Sequence, residues 1–384
     1  MRKVCVVTGS RAEYGILSHL MNLIKSCDDL QLQIVATNMH LSPEFGLTYK
    51  EIEYDGFTID KKVQMLLSSD TENATVKSIG LATIGFADAF EDLRPDILLI
   101  LGDRYEMLAA VTASLIYKIP VAHLHGGEIT EGAYDDAIRH AITKLSHLHF
   151  TSTEDYRKRV IQLGESPDRV FNVGALGVEN ILNTPLLSKE EFEKSINFSL
   201  GDKSLLVTFH PVTLENNSVE QQFQDLLDVL EEDYSGYRIV FTMPNSDTDG
   251  HSLIRMVNGF VENNKNSVSF QSLGKIRYFS ALKYMDAVIG NSSSGIIEAP
   301  SMGIPTLNIG DRQKGRIAAP SVINCIPVKE AIKEGMAITL SDRVRKIAEQ
   351  KMNPYMKYGT ADSILKVLRE YPLSNIVNKA FYNI

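Results

Sequence analysis

Short runs of apolar, β-branched residues alternate with amphipathic stretches along almost the whole chain. Before residue 180 these runs occupy positions 3–8, 32–37, 96–102, 120–125, 148–152 and 169–174. After it they occupy positions 204–210, 237–243, 267–272, 286–290 and 304–310. Strands that are apolar on both sides and separated by helical patterns are typical of a parallel sheet covered by helices on both faces. The sequence therefore predicts an α/β fold.

The alternation pauses between residues 183 and 189 and then starts again. A chain of 384 residues is also too long for one ordinary core. We therefore predict two Rossmann-like, doubly wound domains that face each other across a cleft, at positions 1–182 and 183–359. Residues 360–384 form a predicted helical tail that could pack on either domain, including back onto the first.

Composition and charge exclude several classes of protein. The formal net charge of −9 argues against a general nucleic-acid binder, whose surface would be basic. No apolar run approaches the length of a membrane span, and the run Val4–Val7 is too short for the core of a signal peptide. The cysteines Cys5, Cys27 and Cys325 are scattered, which suits a reducing compartment and excludes a zinc ribbon. We expect a cytoplasmic protein with a small-molecule ligand and neither a nucleic-acid nor a membrane partner.

In an open parallel sheet, ligands bind beyond the carboxyl ends of the strands, so the loops after the predicted strands carry most information. Neither GxGxxG nor GxxxxGK[ST] occurs, which lowers the odds of a dinucleotide or a P-loop triphosphate. The loop TGSRAEYG follows the first strand and supplies Ser10 and Arg11. GDRYE supplies Asp103 and Arg104 after a later strand, and FHP supplies His210.

The stretch GNSSSGIIE, residues 290–298, comes at the end of the predicted strand 286–290 and opens a helix that we predict to begin near Ser294. Exposed amides at a helix N-terminus, together with hydroxyl groups and a glycine, can hold a diphosphate. The alternative is that the serines only cap the helix. Nearby arginines favour the phosphate ligand, and Glu298 is placed to accept hydrogen bonds from a ribose diol. The predicted phosphate site comprises Ser292, Ser293, Ser294, Gly295, Arg11, Arg312 and Arg316.

The stretch HLHGGEITEGAYDD, residues 123–136, holds two histidines and several acids. His123 and His125 are two residues apart, so on a strand both rings would point to the same face. The spacing permits a zinc site with Glu128 or Asp135 as a further ligand. We expect no metal, because the phosphate loops explain the same residues. The stretch is predicted to be an acid/base site.

These motifs resemble one family. They occur in the order TGSRAEYG, GDRYE, HGGE followed by DDAIRHAITKLSH, FHPVT, GNSSSGIIE and GDRQKGR, from about residue 3 to beyond residue 320. Together they resemble the UDP-N-acetylglucosamine 2-epimerases, in particular the hydrolysing branch that feeds sialic-acid synthesis. Ala12 follows the first arginine, where the non-hydrolysing branch more usually has proline. The resemblance implies a GT-B-like fold, a UDP-sugar between the domains, no metal or nicotinamide cofactor, and a homodimer or homotetramer.

The resemblance also implies roles for particular residues. Asp103, Asp135 and His210 are the expected catalytic groups, although Asp103 could instead form an ion pair with Arg104 or another basic residue. Many hydrolysing relatives have HIEGGE where this chain has HLHGGE, so His125 stands in place of a glutamate. Either His125 or Glu128 could then carry the proton. The expected UDP-sugar contacts are Ser10, Arg11, Arg104, Asp136, Ser292, Ser293, Ser294, Gly295, Glu298, Arg312 and Arg316.

The implied reaction is elimination of UDP from UDP-N-acetylglucosamine to give a glycal, followed by hydration to N-acetylmannosamine. Motifs that bind the diphosphate do not distinguish this donor from a UDP-2,4-diacetamido-trideoxyhexose of the legionaminic-acid type, which is the first alternative. The others are the non-hydrolysing epimerase, a GT-B glycosyltransferase and a UDP-sugar-binding regulator. The density of acids and histidines at the predicted strand ends favours an enzyme.

Overall fold

The computed structural model describes residues 1–69, 71–131, 133–211, 219–244 and 250–384. Contacts divide the chain into two compact units. The first unit consists of Met1–Glu128, Asp135–Asn180 and Tyr355–Ile384, and the second consists of Ile129–Tyr134 and Ile181–Pro354. The chain therefore leaves the first unit close to the predicted pause and returns to it at Tyr355.

The first unit is built on a parallel sheet. Among the described residues it has seven strands in the order β3-β2-β1-β4-β5-β6-β7. The strands are β1 Arg2–Thr8, β2 Leu30–Thr37, β3 Lys61–Val63, β4 Ile97–Leu101, β5 Val121–Leu124, β6 Leu148–Thr151 and β7 Val170–Asn172. The helices between Arg11 and Asn183 are α1 Arg11–Lys25, α2 Tyr49–Tyr54, α3 Glu72–Leu93, α4 Tyr105–Ile116, α5 Asp135–Leu145, α6 Glu154–Gln162 and α7 Leu176–Asn183.

Side chains from the central strands enter two separate cores, one on each face of this sheet. In β1, Val4 and Val6 belong to one apolar cluster, whereas Cys5 and Val7 belong to the other. All five residues of β4 are buried. A strand that is covered on both faces needs apolar residues at every position rather than at alternate ones. That requirement explains the continuous apolar run from which the strand was predicted.

The second unit repeats the architecture with a six-stranded parallel sheet, counted over the described residues, in the order β10-β9-β8-β11-β12-β13. The strands are β8 Ser204–Thr208, β9 Arg238–Thr242, β10 Ser267–Phe270, β11 Ala287–Gly290, β12 Thr306–Ile309 and β13 Val322–Cys325. The helices are α8 Lys189–Ile196, α9 Val219–Asp233, α10 Gly250–Asn263, α11 Gly274–Tyr284, α12 Ser293–Ile297, α13 Ala299–Met302, α14 Lys329–Thr339 and α15 Asp342–Ala348.

The prediction of two doubly wound α/β sheets is confirmed, with two strands added. β3 and β13 lie at the edges of their sheets and were absent from the predicted series. β3 has only three residues, two of them lysines, and β13 contains a half-exposed, Asn-containing segment. Neither strand has the apolar run of a central strand, because an edge strand is less enclosed.

The C-terminal residues belong to the first unit. Helix α16, Thr360–Glu370, packs on α1, and its first turn is held by Thr360 Oγ1, which donates to Val173 O at 2.7 Å. Beyond α16, Lys379 Nζ donates to both carboxylate oxygens of Glu165 at 2.9 Å. No helix in the part of the chain that the structure describes is long and apolar enough to cross a bilayer.

Glu165 is the centre of a buried ion cluster. Besides Lys379, its carboxylate contacts the ammonium of Lys144 and lies 3.1 Å from His149 Nε2. Burial by itself raises the pKa of Glu165, but the bonds from His149, Lys144 and Lys379 outweigh it and bring the pKa to about 2. The C-terminal segment is thus fixed by charge to Glu165, which follows α6 and also contacts α5 and β6.

Candidate active site

The acid/base stretch of the first unit begins where β5 ends. The strand stops at Leu124, and His125 takes a left-handed backbone conformation with φ of 66°. The prediction that His123 and His125 share one face of a strand is therefore wrong, because the second histidine lies beyond the end of the strand. A left-handed non-glycine residue is strained, and such residues cluster at functional sites.

His125 is held by a buried carboxylate. Its Nδ1 lies 2.7 Å from Oε1 of Glu128, and Ser152 Oγ donates to the same oxygen at 2.8 Å. The His125 amide donates to Phe150 O at 2.9 Å. A carboxylate can only accept, so Nδ1 carries the hydrogen when the imidazole is neutral. The other nitrogen, Nε2, has no hydrogen-bond partner among the described residues and is the basic one.

His123 has a structural role. Its Nε2 lies 2.7 Å from the carbonyl oxygen of Gly102, and its Nδ1 lies 3.4 Å from Thr143 Oγ1. Complete burial lowers the pKa of His123 to about 3, so the ring is neutral at physiological pH. Within the described ranges, no group of three or more His, Cys, Asp or Glu side chains is placed to hold a metal ion.

Arg139 connects the acids around this stretch. It is buried on α5, and its guanidinium forms ion pairs with Asp103 and with Asp136, the latter at 3.2 Å. The same guanidinium donates to Glu128 O at 3.0 Å. Asp103 is thus paired with Arg139 rather than with Arg104. Asp103 and Asp136 keep 22% and 26% of their side-chain surface exposed, whereas Arg139 is enclosed, so the arginine positions the acids.

Asp135 is the first residue of α5 and is half-buried, in the place that the sequence predicted. Its neighbour Asp136 lies 3.4 Å from His140 Nε2, one turn along the helix. Burial lowers the pKa of His140, with a smaller opposing effect from Asp136. The N-terminus of α5 therefore presents two half-buried carboxylates, and Arg139 holds one of them, Asp136.

A pair of buried glutamates lies behind the loops that follow β1 and β4, and sequence reasoning did not select it. Arg104 Nε donates to Glu106 Oε1 at 2.9 Å, and the Gly9 amide donates to Glu13 Oε2 at 2.7 Å. Burial, and after it the charge of Glu106, raises the pKa of Glu13 to about 8. Both acids stand in the motifs TGSRAEYG and GDRYE, but the sequence does not reveal that each is enclosed.

The predicted phosphate ligands of the first unit already have protein partners. Ser10 caps α1 by accepting from the Glu13 amide at 3.4 Å, and Arg11 forms an ion pair with Glu51. Arg104 is only 9% exposed. A phosphate contact from either arginine therefore requires that its guanidinium be shared with, or released from, a carboxylate.

In the second unit, Asn291 joins the loops that follow three strands. The His210 amide donates to Asn291 Oδ1 at 2.7 Å, and Asn291 Nδ2 donates back to His210 O at 2.8 Å. Arg312 and Gln313 both donate to Asn291 O, at 3.2 and 2.9 Å. The sequence indicated His210 and Arg312 but not the asparagine that connects them. Residues 212 and 213 of the FHPVT motif lie outside the described residues.

The predicted diphosphate loop forms a helix cap. Ser292 is the N-cap of α12, which begins at Ser293 and has only five residues. Gly295 is required for packing, because a Cβ there would lie 2.8 Å from Thr306 Cγ2. Glu298 is buried at the end of α12. Ser293, Ser294, Arg312 and Arg316 are half-buried, and their contacts with UDP stay a prediction.

Comparison with known proteins identifies the family to which these loop motifs belong. The family model of the UDP-N-acetylglucosamine 2-epimerases matches residues 23–369. The chain belongs to this family. The resemblance inferred from the motifs is therefore confirmed over most of the length of the epimerase.

Three curated relatives of this epimerase are informative. One from Campylobacter jejuni, named GDP/UDP-N,N'-diacetylbacillosamine 2-epimerase (hydrolyzing), is 46% identical over 84% of each chain. The polysialic acid biosynthesis protein P7 of Escherichia coli is 39% identical over 100% of this chain and 98% of its own. A UDP-N,N'-diacetylbacillosamine 2-epimerase (hydrolyzing) from Legionella pneumophila is 35% identical over 99% of each. The enzyme belongs to the hydrolysing branch, as predicted.

The fold of this epimerase also matches a solved structure. The crystal structure of a UDP-N-acetylglucosamine 2-epimerase homologue from Listeria monocytogenes has a TM-score of 0.79. It covers 100% of this chain and 99% of its own, at 19% identity. At that identity the match supports the shared GT-B-like fold and nothing finer.

Proposed function

We propose that the protein is a hydrolysing 2-epimerase of a UDP-sugar with acetamido groups at C2 and C4, of the N,N'-diacetylbacillosamine type. The relatives from C. jejuni and L. pneumophila that carry this substrate in their names are 46% and 35% identical. UDP-N-acetylglucosamine, which the motifs placed first, is the second candidate, and the E. coli relative named for polysialic acid biosynthesis supports it at 39%.

The reaction has two steps. In the first, a base removes the proton from C2 while the bond between C1 and the UDP oxygen breaks, which gives a glycal and UDP. In the second, water adds across the double bond, with its hydroxyl joining C1 and a proton reaching C2 from the opposite face. The sum is UDP-sugar plus water to UDP plus the free 2-epimer, without a net oxidation or reduction.

The observation that carries this proposal is the chain of contacts from Ser152 through Glu128 to His125. We assign the C2 proton transfer to His125 Nε2, which Glu128 and Ser152 leave as the basic nitrogen. When Nε2 takes up the proton, the carboxylate 2.7 Å from Nδ1 stabilises the imidazolium. In this proposal Glu128 is a positioning residue and the histidine carries the proton.

The second proton is assigned to the acids that Arg139 holds. Asp103 and Asp136 retain exposed side-chain surface although both are paired with that guanidinium. A fixed carboxylate that is accessible from one side can take a proton from the water that adds its hydroxyl to C1 and pass that proton to the second face of C2. Asp135 and His210 are proposed to contact the reacting sugar, and the serines of the α12 cap with Arg312 and Arg316 are proposed to hold the diphosphate.

The test is an NMR time course of the purified protein in D2O with UDP-N,N'-diacetylbacillosamine, and in parallel with UDP-N-acetylglucosamine. We expect free UDP and a free 2-epimer that carries deuterium at C2. Turnover of the second donor alone would transfer the assignment to the second candidate. A deuterated UDP-sugar without free UDP would indicate the non-hydrolysing reaction, and no exchange on either donor would refute the proposal.

Variants separate the assigned roles. His125→Gln should lower kcat by roughly 10²- to 10⁴-fold, the usual contribution of a general base, whereas the matched control His19→Gln should not. Glu128→Gln should lower kcat with little change in KM and should alter the pH profile of kcat, because it acts through the histidine. If Glu128→Gln abolished turnover while His125→Gln left it intact, the two roles would have to be exchanged.

A further inference from the structure

Several buried polar atoms without a hydrogen-bond partner lie at the carboxyl edge of the first sheet. Among the described residues they include both amide atoms of Asn38, Oε2 of Glu106 and Nε2 of His125. These residues follow β2, β4 and β5. An unsatisfied buried polar group costs free energy, and native proteins rarely keep one unless a ligand or water satisfies it. The proposed chemistry uses His125, but nothing in it yet uses Asn38.

Asn38 is fixed by its backbone rather than by its side chain. It has φ of 50° and is 1% exposed. The following residues are anchored by His40, whose amide donates to Gly9 O at 3.2 Å and whose ring lies 2.7 Å from Thr48 Oγ1. Burial lowers the pKa of His40 to about 4, so this anchor is neutral at physiological pH. The segment thus holds an asparagine amide in a buried position and leaves its hydrogen bonds unmade.

The hydrogen-bonding groups of the Asn38 side chain indicate which ligand group could pair with it. A carboxamide offers a donor and an acceptor side by side, and another amide is the group that matches both at once. On the basis of the proposed function, we propose that Asn38 recognises the C4 acetamido group of the nucleotide sugar. A 4-hydroxyl group would satisfy the site less well, since it has one hydrogen to donate and no separate carbonyl.

The order of the strands supports the choice of C4 over C2. β1 lies between β2 and β4, so the loops of Asn38 and Asp103 are separated by two interstrand spacings, roughly 10 Å. His125 is one strand further. The C2 acetamido group is attached to the carbon that His125 and Asp103 are proposed to serve. The more distant C4 group is therefore the one that can extend toward β2.

The amide atoms are shielded from solvent in this structure. An acetamido group can reach them only if the Asn38 side chain rotates or the segment 38–48 shifts when the sugar binds. Once paired, the group is enclosed, and water, which would compete for the same hydrogen bonds, is excluded. Selectivity for an amide is strong in such a site because an analogue that lacks it leaves buried groups unpaired.

The test compares Asn38→Gly with the wild type on UDP-N,N'-diacetylbacillosamine and on UDP-N-acetylglucosamine, with UDP release as the readout. Glycine adopts the left-handed backbone of this position without strain, so thermal unfolding should confirm an intact fold. We expect kcat/KM for the diacetamido donor to fall roughly 10- to 100-fold, the effect of losing hydrogen bonds to a buried amide. We expect less than about a 3-fold change for the other donor, which lacks the group.

Asn197→Gly is the matched control, because Asn197 has the same φ of 50° but is exposed at the end of α8 in the second unit. It should leave both values unchanged. An equal loss on both donors, or no loss on either, would overturn the role of Asn38 while leaving the proposed function in place. A wild-type protein that does not process the diacetamido donor would overturn the proposed substrate, and this inference with it.

Discussion

Replacing Glu165 by Gln removes the central carboxylate of the buried cluster that fixes the C-terminal segment. The side chain is 1% exposed and faces Lys379, Lys144 and His149. Glutamine keeps the shape but leaves the half-buried Lys379 ammonium without its counter-charge. Removing one partner of a buried pair is far more costly than removing an exposed one.

The size of the effect follows from the pKa of Glu165. Burial raises it, but the three basic partners lower it from its ordinary value of 4.5 to about 2 in the folded chain. A change of this size is equivalent to about 3 kcal/mol of folding free energy. Because the folded-state pKa is depressed, this stabilisation is complete above the unfolded pKa. It is lost progressively as the pH falls from about 5 toward 2.

The assay is urea denaturation followed by far-UV circular dichroism, with Glu165→Gln and the wild type compared at pH 7 and at pH 3.5. We expect the variant to be about 3 kcal/mol less stable at pH 7, with a clearly smaller difference at pH 3.5. The control is Glu154→Gln, which breaks an exposed pair with Arg157 and should cost under about 1 kcal/mol. Equal effects from the two variants, or a Glu165 effect that does not shrink with acid, would refute the reasoning.

Two further predictions test other contacts. Arg139→Lys keeps the charge, but a lysine cannot reach Asp103 and Asp136 together. We therefore expect kcat to fall at least about 10-fold with a smaller change in KM. Unchanged kinetics would show that the guanidinium only stabilises the fold. Gly290→Ala should sharply lower the midpoint of thermal unfolding or prevent folding of the second unit. The reason is that a Cβ at this position would lie 1.9 Å from Thr208 O, and the backbone φ of Gly290 is 131°. A normal melting curve would contradict this prediction.

Most of the fold could be predicted because the central strands carry their own signal. A strand such as β4 is buried on both faces, so all its residues are apolar and the run is visible without any neighbour. The edge strands β3 and β13 lack that signal, since their conformation depends on pairing with β2 and β12. Their existence is a property of the sheet rather than of the local sequence.

The candidate site was predictable to the extent that its residues stand directly after strands. Asp103 was selected on that basis, and His125 and Glu128 were selected from the acid/base stretch at the end of the next predicted strand. The structure brings the three near one another through Arg139 and direct contact. The contacts that define their roles join distant segments. Ser152 reaches Glu128 across 24 positions of sequence, and no spacing rule predicts such a pair.

Asn38 and Glu106 were missed for a different reason. Each is polar and stands close to a strand end. What distinguishes these two residues is that buried atoms of their side chains have no hydrogen-bond partner among the described residues. Burial and satisfaction of hydrogen bonds depend on every neighbouring element. A single sequence gives the type of a residue but not the number of groups around it.

The return of the chain to the first unit affects the order in which the protein can fold during synthesis. The first sheet is complete once β7 has left the ribosome, but α16 and Lys379 emerge only after the whole second unit has been made. Until then the face of α1 that α16 covers is exposed, and Glu165 lacks one of its cations. The nascent first unit therefore presents an uncovered apolar surface while residues 173–359 are made, which is about half of translation. Loss of α16 and of the residues after it would leave the finished protein in that condition.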